Sequence, residues 1–184
     1  SNVYTYKVLM SMIRRRPRDL VKLCSLAAQK AKINNSNIIK TEHIQNIFEE
    51  YSQGRIQDTI NEYKSELPNI EKLLFGMKPS RKERDAGKGF VYTTQELKNK
   101  LSNILSNSQY IFKNKQNATV ISLAQFLYKI NFITARKELE NGEIQRKYFE
   151  ENRYLSSELV DFGYDWEVHP AFRWALQPDG LQTI

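Results

Sequence analysis

The sequence has few of the residues from which metal sites and nucleophilic active sites are built. Its 184 residues include one cysteine, Cys24, and two histidines, His43 and His169. A zinc site needs about four such ligands at defined spacing, and triad catalysis needs a histidine with motif support, which neither histidine has. A single cysteine also excludes an internal disulfide and suits a reducing compartment. We therefore expect no metal ligands, no catalytic residues and a cytoplasmic location.

Long apolar runs and glycine-rich phosphate loops are also missing. No stretch of 18 apolar residues occurs, so we expect no membrane span. A phosphate-binding loop needs a glycine, four residues, then Gly-Lys-Ser or Gly-Lys-Thr. The nearest approach is Gly87-Lys88, where Lys82 replaces the first glycine and Gly89 replaces the hydroxyl residue. We expect this chain alone to bind no cofactor and to have no ATPase activity.

The first residues, "SNVYTYKVLMSM", have no initiator methionine and no signal-peptide layout, and they already show a helical pattern. We expect a piece of a longer protein.

The positive charge is concentrated at one end of the chain. The net charge is +7, yet residues 1–40 hold nine Lys or Arg and one acid, a balance of +8. The remaining residues hold nineteen bases and twenty acids, a balance of −1. The positive field therefore belongs to the N-terminal helices, and a general DNA-coating surface is disfavoured.

Apolar spacing predicts a helical first half. Residues 3–13 fit one helix, and Pro17 suits the first turn of a second that runs to Ile33. We expect its buried stripe to contain Leu20, Leu23, Cys24, Ala27, Ala28 and Ala31. Residues 41–67 predict one long helix or two joined near Gly54, and a short helix ends at Gly76.

The second half predicts two helices and then strands. The glycine- and charge-rich "GMKPSRKERDAGKGF" is the expected linker. Thr93 and Glu96 predict a capping box, and "TVISLAQFLYKINF" predicts a buried helix. "FITARKEL" and "WEVHPAFRW" predict strands, with a turn at Gly163. We expect a mainly α fold with a small β-hairpin: a helical bundle over 1–76, a linker over 77–92 and a winged-helix-like domain over 93–184.

Four arginines, Arg14, Arg15, Arg16 and Arg18, surround Pro17. One interpretation is a solvated helix junction whose arginines pair with acids elsewhere in the fold. The other is that Arg18 or Arg16 points at a phosphate held by another domain, since the proline would hold that arginine at a rigid helix start. The sequence alone leaves both open.

A family resemblance bears on this choice. "RRRPRDLVKLCSLAAQKA", followed by "IIKTEHIQNIFEEYSQGRIQDTINEY", resembles the region after the nucleotide-binding core of large bacterial P-loop ATPases of the AAA/STAND type, which are frequent in genome-conflict and antiphage loci. "INFITARK" and "YDWEVHPAFRWAL" look like the hairpin that closes the winged helix of such proteins.

The resemblance implies a helical lid whose arginine beside a proline is the second nucleotide sensor. Pro17 and Arg18 take the lid positions and Arg16 flanks them, although many relatives have a small residue before the proline. The implied nucleotide-binding residues are therefore Arg16, Pro17 and Arg18. The implied partner is an N-terminal ATPase core of the same protein, which would bind ATP and magnesium.

DNA reading by the winged helix is the alternative function. The helix in the recognition position has few polar side chains that could contact base edges, namely Gln125, Tyr128, Lys129 and Asn131. Residues 94–184 also carry no excess of basic residues. We therefore expect regulatory contact with an effector protein or a second copy, weak non-specific nucleic-acid binding and no membrane partner. A purely structural oligomerisation module is the third interpretation.

Overall fold

The computed structural model describes residues 5–13, 16–85, 87, 89–156 and 163–176. Its helices are α1 (Thr5–Met12), α2 (Pro17–Ile33), α3 (Thr41–Gln45), α4 (Phe48–Tyr63), α5 (Ile70–Gly76), α6 (Arg81–Asp85), α7 (Thr94–Asn107), α8 (Val120–Lys129) and α9 (Pro170–Leu176). Its strands are β1 (Val91–Tyr92), β2 (Ile133–Glu138), β3 (Ile144–Lys147) and β4 (Asp165–Val168), and Arg153–Ser156 form a 3₁₀ helix. The expected mainly α fold with a small antiparallel sheet is confirmed. Among the described helices, none combines the length and apolar character that a bilayer crossing requires.

The chain forms two compact units. The first contains Ser1–Gln57 with Pro170–Ile184, and the second contains Asp58–His169. These units divide between 57 and 58, inside α4, and between 169 and 170, before α9, whereas the sequence predicted boundaries at 76 and 93. Charge and glycine content mark exposed segments, whereas the units follow from which apolar side chains pack together.

The first unit is a helical bundle. Pro17 begins α2 at the position where a missing N–H costs nothing, and the helix buries Leu23, Leu26, Ala27 and Ala31. The core also contains Met12, Ile44, Ile47, Phe48, Tyr51 and Ala171. Cys24 and Ala28 were expected in the buried stripe but are exposed, because the stripe of α2 runs through Leu26 instead. The break in the third predicted helix lies at residues 46–47, and Gly54 is inside α4.

The structure of residues 166–174 differs from the sequence prediction. "WEVHPAFRW" was expected to be a strand throughout, but only Asp165–Val168 are extended. Pro170 then starts α9, since its fixed φ suits a first helical turn. Phe172 is completely buried, and in the first unit the Trp174 ring lies 4.7 Å from the Phe48 ring, centroid to centroid.

The second unit places a four-stranded antiparallel sheet beside α7 and α8. The strand order is β1-β4-β2-β3, with Trp166 of β4 opposite Tyr92 on one side and Ala135 on the other. The Trp166 indole is buried, and its Nε1 donates to Thr94 Oγ1 at 3.1 Å. Helices, hairpin and last strand follow the predicted order. Assignment of this unit to the winged-helix class stays a prediction.

The segment 77–92, expected to be a linker, contains α6 and β1. Its apolar residues Met77, Phe90 and Tyr92 are at most 5% exposed. The charged residues between them obscured these buried positions in the sequence. In the structure, both ends of the segment are packed into the second unit.

Candidate functional site

The three predicted site residues are consecutive at the start of α2. Arg16 is the N-cap residue in extended conformation, Pro17 is the first helical residue, and Arg18 follows it. The Arg16 carbonyl accepts a hydrogen bond from the Asp19 N–H at 2.9 Å. Arg16 is half-buried, whereas the Arg18 side chain is 60% exposed. Arg14 and Arg15, the other two arginines of the cluster, lie outside the described residues.

A buried ion pair fixes this helix start. The Asp19 carboxylate is completely buried, and Arg55 of α4 donates from Nη1 to its Oδ1 at 2.5 Å. The Arg18 Nε lies 4.0 Å from the same oxygen. The Asp19 carboxylate therefore forms an ion pair with Arg55 and lies at the limit of ion-pair distance from Arg18. These contacts orient the first turn of α2.

The ion pair continues into the core of the first unit. The Arg55 guanidinium carbon is 5.5 Å from the centre of the Tyr51 ring, a cation–π distance. The Tyr51 hydroxyl donates to the Met12 carbonyl at 3.0 Å, which attaches α4 to the end of α1. The two helix ends that flank the arginine cluster are thus both bonded to α4.

The sequence patterns did not single out Asp19 or Arg55. A signal was present, because Arg55 lies one helical turn after Tyr51 and one before Thr59, on the buried face of α4. An arginine on a buried helix face requires a buried acid or another acceptor. Asp19 is the only acidic residue in the first forty.

The electrostatics of the first forty residues are one-sided. Their single acid is buried and paired, so every charge that they expose is basic. The N-terminus of α2 adds the partial positive charge of the helix dipole. The arrangement favours an anion beside Arg18.

The two histidines make local structural contacts. The His43 Nδ1 accepts from the Lys40 N–H at 3.0 Å at the start of α3, and the buried His169 Nε2 lies 3.5 Å from the Tyr148 hydroxyl. Cys24 is exposed on α2. Across the part of the chain that the structure describes, no three His, Cys, Asp or Glu side chains form a group that could hold a metal ion.

The helix in the recognition position, α8, presents little to a DNA groove. Tyr128 and Asn131 are buried. The Tyr128 hydroxyl shares its one proton between the carbonyls of Lys147, at 3.3 Å, and Asn152, at 3.2 Å, and the Asn131 Nδ2 donates to Glu150. Of the four polar residues named from sequence, only Gln125 and Lys129 retain exposure.

A second buried charge cluster lies on the sheet of the second unit. The Glu167 side chain is 2% exposed, accepts from Arg146 Nε and has Arg136 Nε at 3.8 Å. Sequence reasoning did not find this cluster, because the three residues come from three strands and meet only through the strand register.

Comparison with known proteins gives one finding for the first unit. Residues 1–60 match the family model described as the FunZ-associated C-terminal helical domain. The match takes in α1, α2, α3 and most of α4, and it ends three residues beyond Gln57, where that part of the first unit ends. No curated protein and no solved structure matches the chain. The N-terminal helices are therefore similar to a helical domain from the C-terminal region of a larger protein.

Proposed function

We propose that this chain is the C-terminal regulatory region of a P-loop ATPase and that Arg18 senses the nucleotide held by the ATPase core of the same protein. The observation that carries the proposal is the Asp19–Arg55 pair, which anchors the start of α2 while the neighbouring Arg18 side chain stays 60% exposed. A fixed helix start with an exposed guanidinium suits recognition of a phosphate by two parallel hydrogen bonds.

Two further observations support this function. The surface charges of the first forty residues are all basic, which complements the phosphates of a nucleotide. The similarity of residues 1–60 to a C-terminal helical domain agrees with a place downstream of another domain. In this proposal ATP and magnesium are bound by the partner core, and Arg18 reports whether the terminal phosphate is present.

The test is Arg18→Ala in the full-length protein. A hydrogen bond to a charged group contributes about 1.5–3 kcal/mol, so we expect ATP hydrolysis, or its coupling to the downstream response, to fall about ten-fold or more. The melting temperature of the present chain should stay nearly constant or rise slightly, because an exposed arginine at a helix N-terminus opposes the helix dipole.

Lys22→Ala is the matched control. Lys22 lies one turn further along α2, is also exposed and carries the same charge, so its loss should leave hydrolysis unchanged. If Arg18→Ala lowers the stability of the chain while the full-length protein hydrolyses ATP normally, Arg18 serves the fold and the proposal fails. The same conclusion holds if both variants reduce turnover equally, since that result indicates a general charge effect.

A further inference from the structure

An aromatic groove of about 470 Å³ lies on the second unit, on the exposed side of α8. Its floor is formed by Phe126 and Phe112, whose rings meet edge to face with centroids 5.7 Å apart. Phe149 and Tyr154 form one side, and Lys129 and Gln125 of α8 form another part of the wall. This surface is separate in sequence from Arg18 and plays no part in the function proposed above.

Tyr154 is the unusual member of this groove. Tyr154 is 81% exposed, the largest value among the exposed large apolar and aromatic residues that the structure describes. The preceding residue, Arg153, places its guanidinium carbon 5.7 Å from the centre of the Phe149 ring. A planar cation over one ring and a largely exposed phenol beside it form a stacking platform rather than a packed core.

The charged side chains that line the groove carry a small positive excess. Lys129 and Glu66 both line it and pair with each other at 2.7 Å. Arg153 is the third charged residue of the lining and leaves it with one net positive charge.

We infer that this groove binds single-stranded nucleic acid, with a base stacked on Tyr154 and a backbone phosphate near Arg153. Exposed aromatic rings interleaved with cations are the means by which proteins hold unpaired bases without reading sequence. A duplex cannot use the platform, because its bases are already stacked on one another. The burial of Tyr128 and Asn131 also leaves α8 with little to read in a major groove.

The experiment measures fluorescence anisotropy of a labelled oligothymidylate of about twelve nucleotides with the whole chain at low salt. We expect Tyr154→Ala to weaken binding about five- to 150-fold, because stacking on one ring contributes about 1–3 kcal/mol per base. Tyr154→Phe keeps the ring and should bind within about two-fold of the original chain. Circular dichroism of each variant checks the fold, which substitution at so exposed a side chain should leave intact.

Phe75→Ala is the matched control, since Phe75 is an exposed aromatic of the same unit outside the groove, and it should have no effect. The inference is overturned if the oligothymidylate does not bind, or if Tyr154→Ala binds as well as the original chain. It is also overturned if a blunt duplex of the same length shows the same dependence on Tyr154. If a polyglutamate peptide displaces the oligonucleotide, and if its binding also depends on Tyr154, the groove is assigned to acidic proteins instead.

Discussion

Asp19 and Arg55 form an ion pair whose two side chains are almost fully removed from water. Burial of a charge costs several kcal/mol unless a partner compensates it, so loss of one partner is more damaging than loss of both. We expect Arg55→Met to lower the free energy of unfolding by about 3 kcal/mol, because it leaves the Asp19 carboxylate buried without its main counter-charge. Urea unfolding monitored by circular dichroism measures this.

The double variant Asp19→Asn with Arg55→Met tests the physical reason. Since the two residues are in contact, the double variant should be destabilised by less than the sum of the two single variants. Strictly additive losses would show that each side chain is stabilised by something other than its partner.

Tyr128 is a buried phenol whose ionisation is coupled to folding. Burial, followed by the negative charges of Glu151 and Glu150, raises the pKa of Tyr128 above its ordinary value. In the unfolded chain a tyrosine loses its proton near pH 10, whereas Tyr128 stays protonated in the folded chain. Above that pH the unfolded state binds fewer protons than the folded state, so the contribution to stability falls as the pH rises.

We therefore expect Tyr128→Phe to flatten the loss of stability above about pH 10 while costing about 1 kcal/mol at neutral pH, where the hydroxyl's hydrogen bonds are lost. Chemical denaturation between about pH 8 and pH 11 compares the two slopes. Parallel slopes in the two proteins would mean that Tyr128 ionises equally in both states.

At the scale of single elements, the caps of α7 and α8 form an internal comparison. Thr93 Oγ1 accepts from the Glu96 N–H at 3.2 Å, and the Glu96 carboxylate accepts from the Thr93 N–H at 2.9 Å. Thr119 and Ser122 make the same reciprocal pair at the start of α8. We expect Thr93→Ala and Thr119→Ala each to lower the free energy of unfolding by about 1 kcal/mol. Thr93→Asn, which restores a capping oxygen, should recover most of that loss; if it does not, the cap contributes little.

Local rules predicted the elements that local interactions determine. The start of α2 at Pro17, the capping box at Thr93 and the strand after Phe132 were all predicted correctly from neighbouring residues. The helix at Pro170 was missed because alternating aromatic residues imitate a strand, and its burial depends on side chains more than a hundred residues away, such as Ser52. The Asp19–Arg55 pair was not predicted, since the two residues lie 36 positions apart in the sequence.

At the scale of the whole molecule, the net charge of +7 taken alone indicates affinity for nucleic acid. The distribution of that charge along the chain weakens this indication. The excess lies in residues 1–40, and the remaining residues are almost neutral. Attraction of duplex DNA to this chain is therefore confined to one basic surface, and affinity from phosphate contacts alone carries no sequence preference.

We expect weak binding of duplex DNA that moderate salt abolishes. If about three phosphates are neutralised, raising the salt from about 50 to about 200 mM should weaken binding about forty-fold. Lys22→Glu and Lys32→Glu together, on the exposed face of α2, should reduce the affinity at low salt, whereas Lys98→Glu on α7 should have a much smaller effect.

Tyr154→Ala should leave duplex binding unchanged, which separates duplex binding from single-strand binding in the aromatic groove. A titration with two unrelated duplexes measures preference, and nanomolar discrimination between them at physiological salt would contradict the prediction and favour a sequence-reading winged helix.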